Sequence, residues 1–287
     1  MKKIVLNIMA PVAIILMMLA CNSSSKDGYL LKMRLAKGDK FSNNILMDMQ
    51  VTTTVMGMSQ EVKMKMDMGS DFEVLDSNAS GKLLKMTYTR MKMGMNMANN
   101  PGIDMDSIMN AATAGIIGKS ITITLKDNKV VDVTGMDSIL TQAHDSSSRM
   151  MIEKMVEKEN LNQTFGMMFN IYPEKPVKVG DSWEKENEFQ ASMMKMKVKT
   201  TYTLAGVKDG IAELTINGKI DSKGSMNQGN MEMTMDMKGT QKGRMGVKTE
   251  SGYIDKGNYD MDVDANMEMM GQKVPMKLLA KYSISGQ

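Results

Sequence analysis

The sequence predicts a mainly β protein: an antiparallel curved sheet, or sheets, in two related halves, with one or two helices between the halves or packed on them. Three observations carry this. Methionines alternate with polar residues over long runs, β-branched segments are separated by short turns rich in Gly, Asp, Asn and Lys, and two short motifs recur in the two halves.

Taken in order, Tyr29 to Leu35 alternate weakly and end at the turn Lys37-Gly38-Asp39. Strands are expected over 45–56 and 61–68, joined across Gly57, and then over 72–75 and 82–95. Residues 104–117 (DMDSIMNAATAGII) lose the alternation and predict a helix, with Asp104 as its cap. Segments 120–125 and 130–133 flank Asp127-Asn128-Lys129 and read as a hairpin. A second helix is expected over 146–159, where Ser146 to Ser148 can cap and Met151, Met155 and Val156 fall at helical spacing. The second half follows Pro176-Val177-Lys178-Val179-Gly180-Asp181-Ser182-Trp183, with strands expected over 188–204, 211–220, 231–238, 243–249, 253–266 and 273–284. The organisation read from this is a signal peptide over 1–20, a lipidated cysteine and tether over 21–28, an N-terminal β-rich half over 29–145, a helical connector over 146–172 and a C-terminal β-rich half over 173–287.

The recurring motifs are Lys37-Gly38-Asp39-Lys40-Phe41 against Val179-Gly180-Asp181-Ser182-Trp183, and Met56-Gly57 with Gln60 and Val62 against Met270-Gly271 with Gln272 and Val274. Duplication explains them. So does the plain suitability of Gly-Asp before an aromatic for a turn that leads into a strand.

At the N-terminus, Lys2 and Lys3 precede an apolar run that closes on Met18-Leu19-Ala20-Cys21. The run is short for a membrane span and has the layout of a secretory signal. Its last four residues resemble the lipobox of bacterial lipoproteins, with Met18 where Leu, Val or Ile is usual. That resemblance implies acylation of Cys21, by palmitate or a similar chain, and a lipid anchor in the membrane. Cys21 is the one cysteine of the chain, so no intramolecular disulfide forms and acylation accounts for a thiol in an oxidising compartment. Asn22 to Gly28 are small and polar, as in a flexible tether. Loss of residues 1–20 takes Lys2 and Lys3 with it and lowers the net charge from +3 to +1. A near-neutral chain with one tryptophan has no electrostatic case for nucleic acid as a partner.

The 39 methionines stand beside only 5 phenylalanines, so methionine must supply much of the apolar face. Residues two apart share a face of a strand. Met64, Met66 and Met68, then Met91, Met93, Met95 and Met97, then Met231, Met233, Met235 and Met237 therefore each form one apolar row, with polar residues on the opposite face. Three readings follow. The rows fill a soft core, since Met adapts to uneven space. Alternatively Met64, Met66, Met68, Met91, Met93, Met95, Met231, Met233, Met235 and Met237 form a face that binds a lipid or other hydrophobic ligand. Or Met91, Met93, Met95, Met97, Met231, Met233 and Met235 bind monovalent copper through soft thioethers, or buffer oxidants.

Conventional catalysis has little to build on. His144 is the one imidazole, and its neighbours Asp145 and Ser146 to Ser148 are explained by a helix cap. No phosphate loop, G-x-S-x-G elbow or H-E-x-x-H helix is present. Asp260, Asp262 and Asp264 alternate and form either a weak cation site or the solvated face of a strand whose other face carries Tyr259, Met261 and Val263. No catalytic residue and no cofactor is assigned.

Leu35 to Phe41 (LAKGDKF), Asp132 to Asp137 (DVTGMD), Tyr172 to Trp183 (YPEKPVKVGDSW) and Thr201 to Leu204 (TYTL) resemble an uncharacterised lipoprotein family of the Bacteroidota, a domain of unknown function numbered 6263. The resemblance covers nearly the whole mature chain and implies a lipid-anchored setting in the cell envelope. It transfers no activity. A single acid, Asp27, follows the cysteine closely, where a surface-export signal would be more acidic; this favours an outer-membrane anchor facing the periplasm. The expectation is a non-enzymatic envelope lipoprotein, partnered by the membrane through its anchor and by a hydrophobic small molecule or an envelope protein. Copper handling and a purely structural or protein-interaction module are the alternatives.

Overall fold

Eleven strands hydrogen-bond into one antiparallel sheet, which the alternating sequence makes two-faced. The computed structural model describes residues 28–287 except 56, 98–104, 128, 142–148, 151–152, 154–156, 158–160, 162–165, 167, 192–193, 229–230 and 270. The signal segment, Cys21 and His144 lie outside the described residues.

The strands are β1 (Lys40–Val55), β2 (Met58–Asn78), β3 (Gly81–Met97), β4 (Ser120–Lys126), β5 (Lys129–Thr134), β6 (Ser182–Ala191), β7 (Met194–Lys208), β8 (Ile211–Gln228), β9 (Met231–Lys248), β10 (Ile254–Met269) and β11 (Gln272–Gly286). Their order across the sheet is β5-β4-β3-β2-β1-β11-β10-β9-β8-β7-β6. Every ladder joins strands consecutive in the chain except β1–β11, which closes the middle of the sheet. The N-terminal and C-terminal halves thus share a single sheet. Helices are few: α1 (Met105–Ala114), the short α2 (Asp137–Leu140) and a mostly helical set of described residues between 149 and 169.

Register turns the alternation into continuous faces. Phe41, Phe72, Met86 and Ile121 stand in one row across β1 to β4. Farther along the same face, beyond the rows Asn43–Ser70–Tyr88 and Ile45–Met68–Met91, run the rows Met47–Met66–Met93 and Met49–Met64–Met95. The opposite face carries Lys65, Asp48, Lys281, Asp260 and Lys242 in a row that alternates in sign over five strands, the favourable pattern for directly opposed charges. The methionine face is inner and the charged face outer.

Because β5 and β6 are the two edges, the chain between them must cross from edge to edge, and it does so over the inner face. Ile139, Leu161, Met168 and Phe169 pack there on Leu84, Ile121, Ile123 and Phe72. Ile171, Tyr172 and Val177 pack on Tyr202, Leu204 and Leu214. The N-terminal run adds Leu31 and Leu35 to these clusters and is tied down by the Tyr29–Val177 bridge. All of this occupies one end of the sheet. Toward the other end, where β1 leads to β2 and β10 to β11, the inner face mixes half-buried methionines such as Met49, Met64, Met95, Met235 and Met237 with a small buried cluster of Val198, Ile220 and Val263.

Several expected boundaries shift. The break after Met68 does not occur: β2 runs through Gly69 and Ser70 with an irregularity in its pairing to β3. The segments 231–238 and 243–249 are one strand, because Gly239 and Gly243 sit where β10 approaches too closely for a side chain. The segment 188–204 is divided between β6 and β7; the sequence between Phe189 and Met196 has no Gly, Pro, Asn or Asp to mark the division.

The two Gly-Asp motifs have the same geometry. Gly38 and Gly180 have φ of 90° and 95°. Their amides donate to the carbonyls of Val74 and Leu204, each at 2.8 Å, and the carbonyls of Asp39 and Asp181 accept back from those residues. Asp39 also accepts from the Ala36 amide, and Asp181 from the Lys178 amide, each at 2.8 Å. The aromatic that follows stacks on the next strand in both cases, Phe41 on Phe72 at 4.8 Å and Trp183 on Tyr202 at 5.9 Å.

The far half of β3 extends beyond β4 and would be an open edge, the usual template for unwanted strand pairing. α1 covers it. Asn110 donates to the Met93 carbonyl and accepts from the Met93 amide, both at 3.1 Å, and Asp106 accepts from the Met95 amide at 2.6 Å. Two side chains thereby replace a neighbouring strand. Asn110→Ala is expected to cost about 1–3 kcal/mol by leaving both groups of Met93 unpaired, and to increase self-association. Chemical denaturation and sedimentation of the variant check this.

Candidate functional site: an apolar cavity in the curl of the sheet

Side chains from β2 and from β7 line the same cavity, of about 300 Å³. Those strands are six steps apart, roughly 29 Å along a flat sheet at about 4.8 Å per step. The sheet is therefore strongly curled, and the cavity sits inside the curl. Ile45 on β1, Met66 and Met68 on β2, Tyr282 and Ile284 on β11, and Ile254, Tyr259 and Met261 on β10 form one wall. Met245 on β9, Ile216 on β8, and Val198 and Tyr202 on β7 form the other, and Met168 and Ile171 of the crossing segment close it.

The middle of the sheet shapes this space. Tyr259 stacks on Tyr282 with ring centroids 4.6 Å apart, and Tyr259 is register partner to Gly243. A Cβ at Gly243 would fall on the Asn258 carbonyl and on Cα and Cβ of Tyr259, so the absent side chain is what lets β10 lie this close.

Among the described residues, the lining holds no carboxylate, amine, guanidinium, imidazole or thiol. Its polar groups are the side chains of Asn43, Asn187, Thr200 and Gln241 and the hydroxyls of Tyr202, Tyr259 and Tyr282. The Asn187 carbonyl oxygen accepts from Asn170 at 3.0 Å. The buried amide oxygen of Asn43 has no hydrogen-bond partner among the described residues. Burial pushes the Tyr202 phenol up to about 12 and raises Tyr259 further, with the neighbouring tyrosines adding to it. These phenols are neutral at ordinary pH. The arrangement can hold an apolar group and offer it a few neutral hydrogen bonds; its volume is at the small end of ligand cavities.

Of the methionines singled out in the sequence, Met66 and Met68 line this cavity. Met64, Met93 and Met95 lie on the same face in the rows beside it, and Met91 is buried in the core next to Leu84 and Tyr88. Met235 and Met237 are half-buried on β9; Met97, Met231 and Met233 are placed in β3 and β9 by their backbone only. The lining residues that sequence reasoning did not single out are chiefly Ile45, Thr200, Ile216, Gln241, Met245, Tyr282 and Ile284. Tyr259 and Met261 carried a signal, as the apolar face opposite the aspartates. Of those aspartates, Asp262 and Asp264 share the Lys277 ammonium, the latter at 3.0 Å, so two of the three carboxylates already have a cation between them. Among the described residues no three His, Cys, Asp or Glu side chains are grouped to hold a metal, and no helix is long and apolar enough to cross a membrane.

Fold and site define an open, single-sheet antiparallel β protein with an apolar cavity in its curl. The chain belongs to the Family of unknown function (DUF6263), whose model matches residues 79–254. No curated protein matches it. Among solved structures it is similar to one described as lipid–protein interactions in lipovitellin, at 7% identity and a TM-score of 0.49, covering 88% of this chain and 25% of that one. This chain thus spans a quarter of the lipovitellin chain. It is also similar to Pseudomonas aeruginosa OccK11 (OpdR), at 6% identity and a TM-score of 0.22, covering 88% of this chain and 98% of that one. OccK2 (OpdF) of the same organism, in complex with glucuronate, aligns at 4% identity and a TM-score of 0.21, covering 88% and 100%. Likenesses this distant carry no argument about function.

Proposed function

We propose that the protein is a non-enzymatic, lipid-anchored envelope protein that holds a hydrophobic small molecule, such as an acyl chain, in the curl of its sheet. The observation that carries this is the uncharged, largely apolar lining of the cavity, drawn from eight strands and the crossing segment. The half-buried methionine face beside it supports the reading, because flexible thioethers accommodate ligands of differing shape. Anchoring through acylated Cys21, on the periplasmic side of an outer membrane, belongs to the same proposal and is tested by mass spectrometry of the mature N-terminus.

Native mass spectrometry of the protein purified from its own envelope should show lipid-sized adducts, and an uncharged fluorescent hydrophobe should bind and be displaced by them. Met66→Glu places a carboxylate on the cavity wall and is expected to weaken probe binding at least about tenfold, since burying an unpaired charge is costly. Leu279→Glu, on the outer face and already 41% exposed, should leave binding unchanged. Equal binding by both variants would sink the cavity reading.

A second reading rests on the two methionine rows. Met47–Met66–Met93 and Met49–Met64–Met95 each bring three thioethers from adjacent strands into register, a soft ligand set suited to monovalent copper. In an anaerobic titration, tight stoichiometric copper uptake by a protein free of lipid adducts would favour this reading over the first.

A further inference from the structure

A groove of about 580 Å³ lies on the other side of the segment that closes the cavity. Four cations reach it: Lys32 and Arg34 from the N-terminal run, Lys82 at the start of β3, and Lys185 on β6. Among the described residues, no acidic side chain lines it. The Arg34 guanidinium donates to the carbonyls of Thr249 and Glu250, which position the charge without neutralising it. Lys185 is the most telling of the four. Its side chain is only 17% exposed, and its acidic partner, Glu174 at 3.5 Å, is itself 87% exposed. A mostly buried side chain whose ammonium has one solvent-exposed carboxylate partner keeps donor capacity for a further anion.

The groove and the cavity adjoin. Lys185 is the register partner of Thr200, which lines the cavity, as does Asn187 two residues farther along β6. Met168 and Ile171 face the cavity while Phe169, Asn170 and Tyr172 line the groove. One short segment is the partition between an apolar space and a cationic one.

We propose that the groove binds the carboxylate or phosphate head of an amphiphile whose apolar part occupies the cavity. The inference rests on the cavity reading and narrows it to anionic amphiphiles. Calorimetric titration of the full-length protein with dodecanoate, dodecanol and inorganic phosphate tests it. Dodecanoate should bind at least about tenfold more tightly than dodecanol, the effect of one charge-assisted contact, and added salt should shrink that margin. Lys185→Met should abolish the margin while dodecanol binding is unchanged; Lys82→Gln, at the groove's rim, should reduce it in the same sense if the first variant folds poorly. Equal affinity for dodecanoate and dodecanol in the unaltered protein overturns the headgroup site and leaves the cavity reading standing. A margin that survives both substitutions also overturns it. Binding of neither amphiphile overturns the cavity reading, and phosphate uptake lost in Lys185→Met would then mark a site for free anions instead.

Discussion

Gly243→Val should leave little folded protein. The new side chain would meet the Asn258 carbonyl and the backbone and Cβ of Tyr259, on β10 in the interior of the sheet. Neither neighbour is the free end of a flexible chain, so β9 and β10 would have to separate and the Tyr259–Tyr282 stack would open. Overpacking alone costs about 1–3 kcal/mol; with a ladder disrupted as well, a loss of about 4–5 kcal/mol or more is expected, a large part of the stability of an ordinary domain. Gly206→Ala is the contrasting case. A Cβ there meets nothing within 4 Å, so the change should be neutral or stabilise by up to about 1 kcal/mol. Denaturant unfolding of the two variants checks both, and a stable Gly243→Val protein would refute the close approach of β10.

Alkaline pH should unfold the protein cooperatively. Burial raises Tyr88 and Tyr202 to about 12 from the ordinary value of 10.0. It raises Tyr172, Tyr259 and Tyr282 as well, and Tyr253 is raised by burial and by Asp39, whose carboxylate its hydroxyl meets at 3.0 Å. A raised phenol pKa means that the fold prefers the neutral form. The stability this represents is complete below pH 10 and is lost as pH climbs through the folded-state values. The rise from 10.0 to about 12 corresponds to roughly 3 kcal/mol for each of Tyr88 and Tyr202, so the pair alone removes an amount comparable to the stability of a small domain. Phenolate absorbance and the β-sheet circular dichroism signal should therefore change together between about pH 10 and 12, and Tyr88→Phe should move the midpoint upward. Titration near 10 with the sheet intact would contradict the burial of these rings.

Local chemistry made much of the sheet legible. The hairpin of β4 and β5 was marked by Asp127, whose φ is 50°, and α1 by the loss of alternation. The two Gly-Asp motifs pointed to equivalent turns, which the matching bonds of Gly38 and Gly180 display. What misled was glycine inside strands. Gly69 and Gly239 fall in the expected breaks between strands, but they mark places where a neighbouring chain or side chain approaches closely. The candidate site was legible only in part. The alternation places Met66 and Met68 on an apolar face, whereas Ile45, Thr200, Ile216 and Tyr282 meet around one space only because the sheet curls. Curvature and β1–β11 register are set by contacts far apart in the chain, and no local pattern records them.

The β1–β11 ladder also dictates an order of events. Every other pairing can form from strands that follow one another, at small entropic cost, while Asn43 must find Gly286 across almost the entire chain. Closing such a loop is slow, although its entropic cost grows only logarithmically with length. Until β11 has been made, β1 has a free flank, with hydrogen-bonding groups and the apolar side chains of Ile45, Met47 and Met49 unpartnered on that side. The growing polypeptide thus carries an open edge in the middle of the eventual sheet, and only the arrival of β11 conceals it.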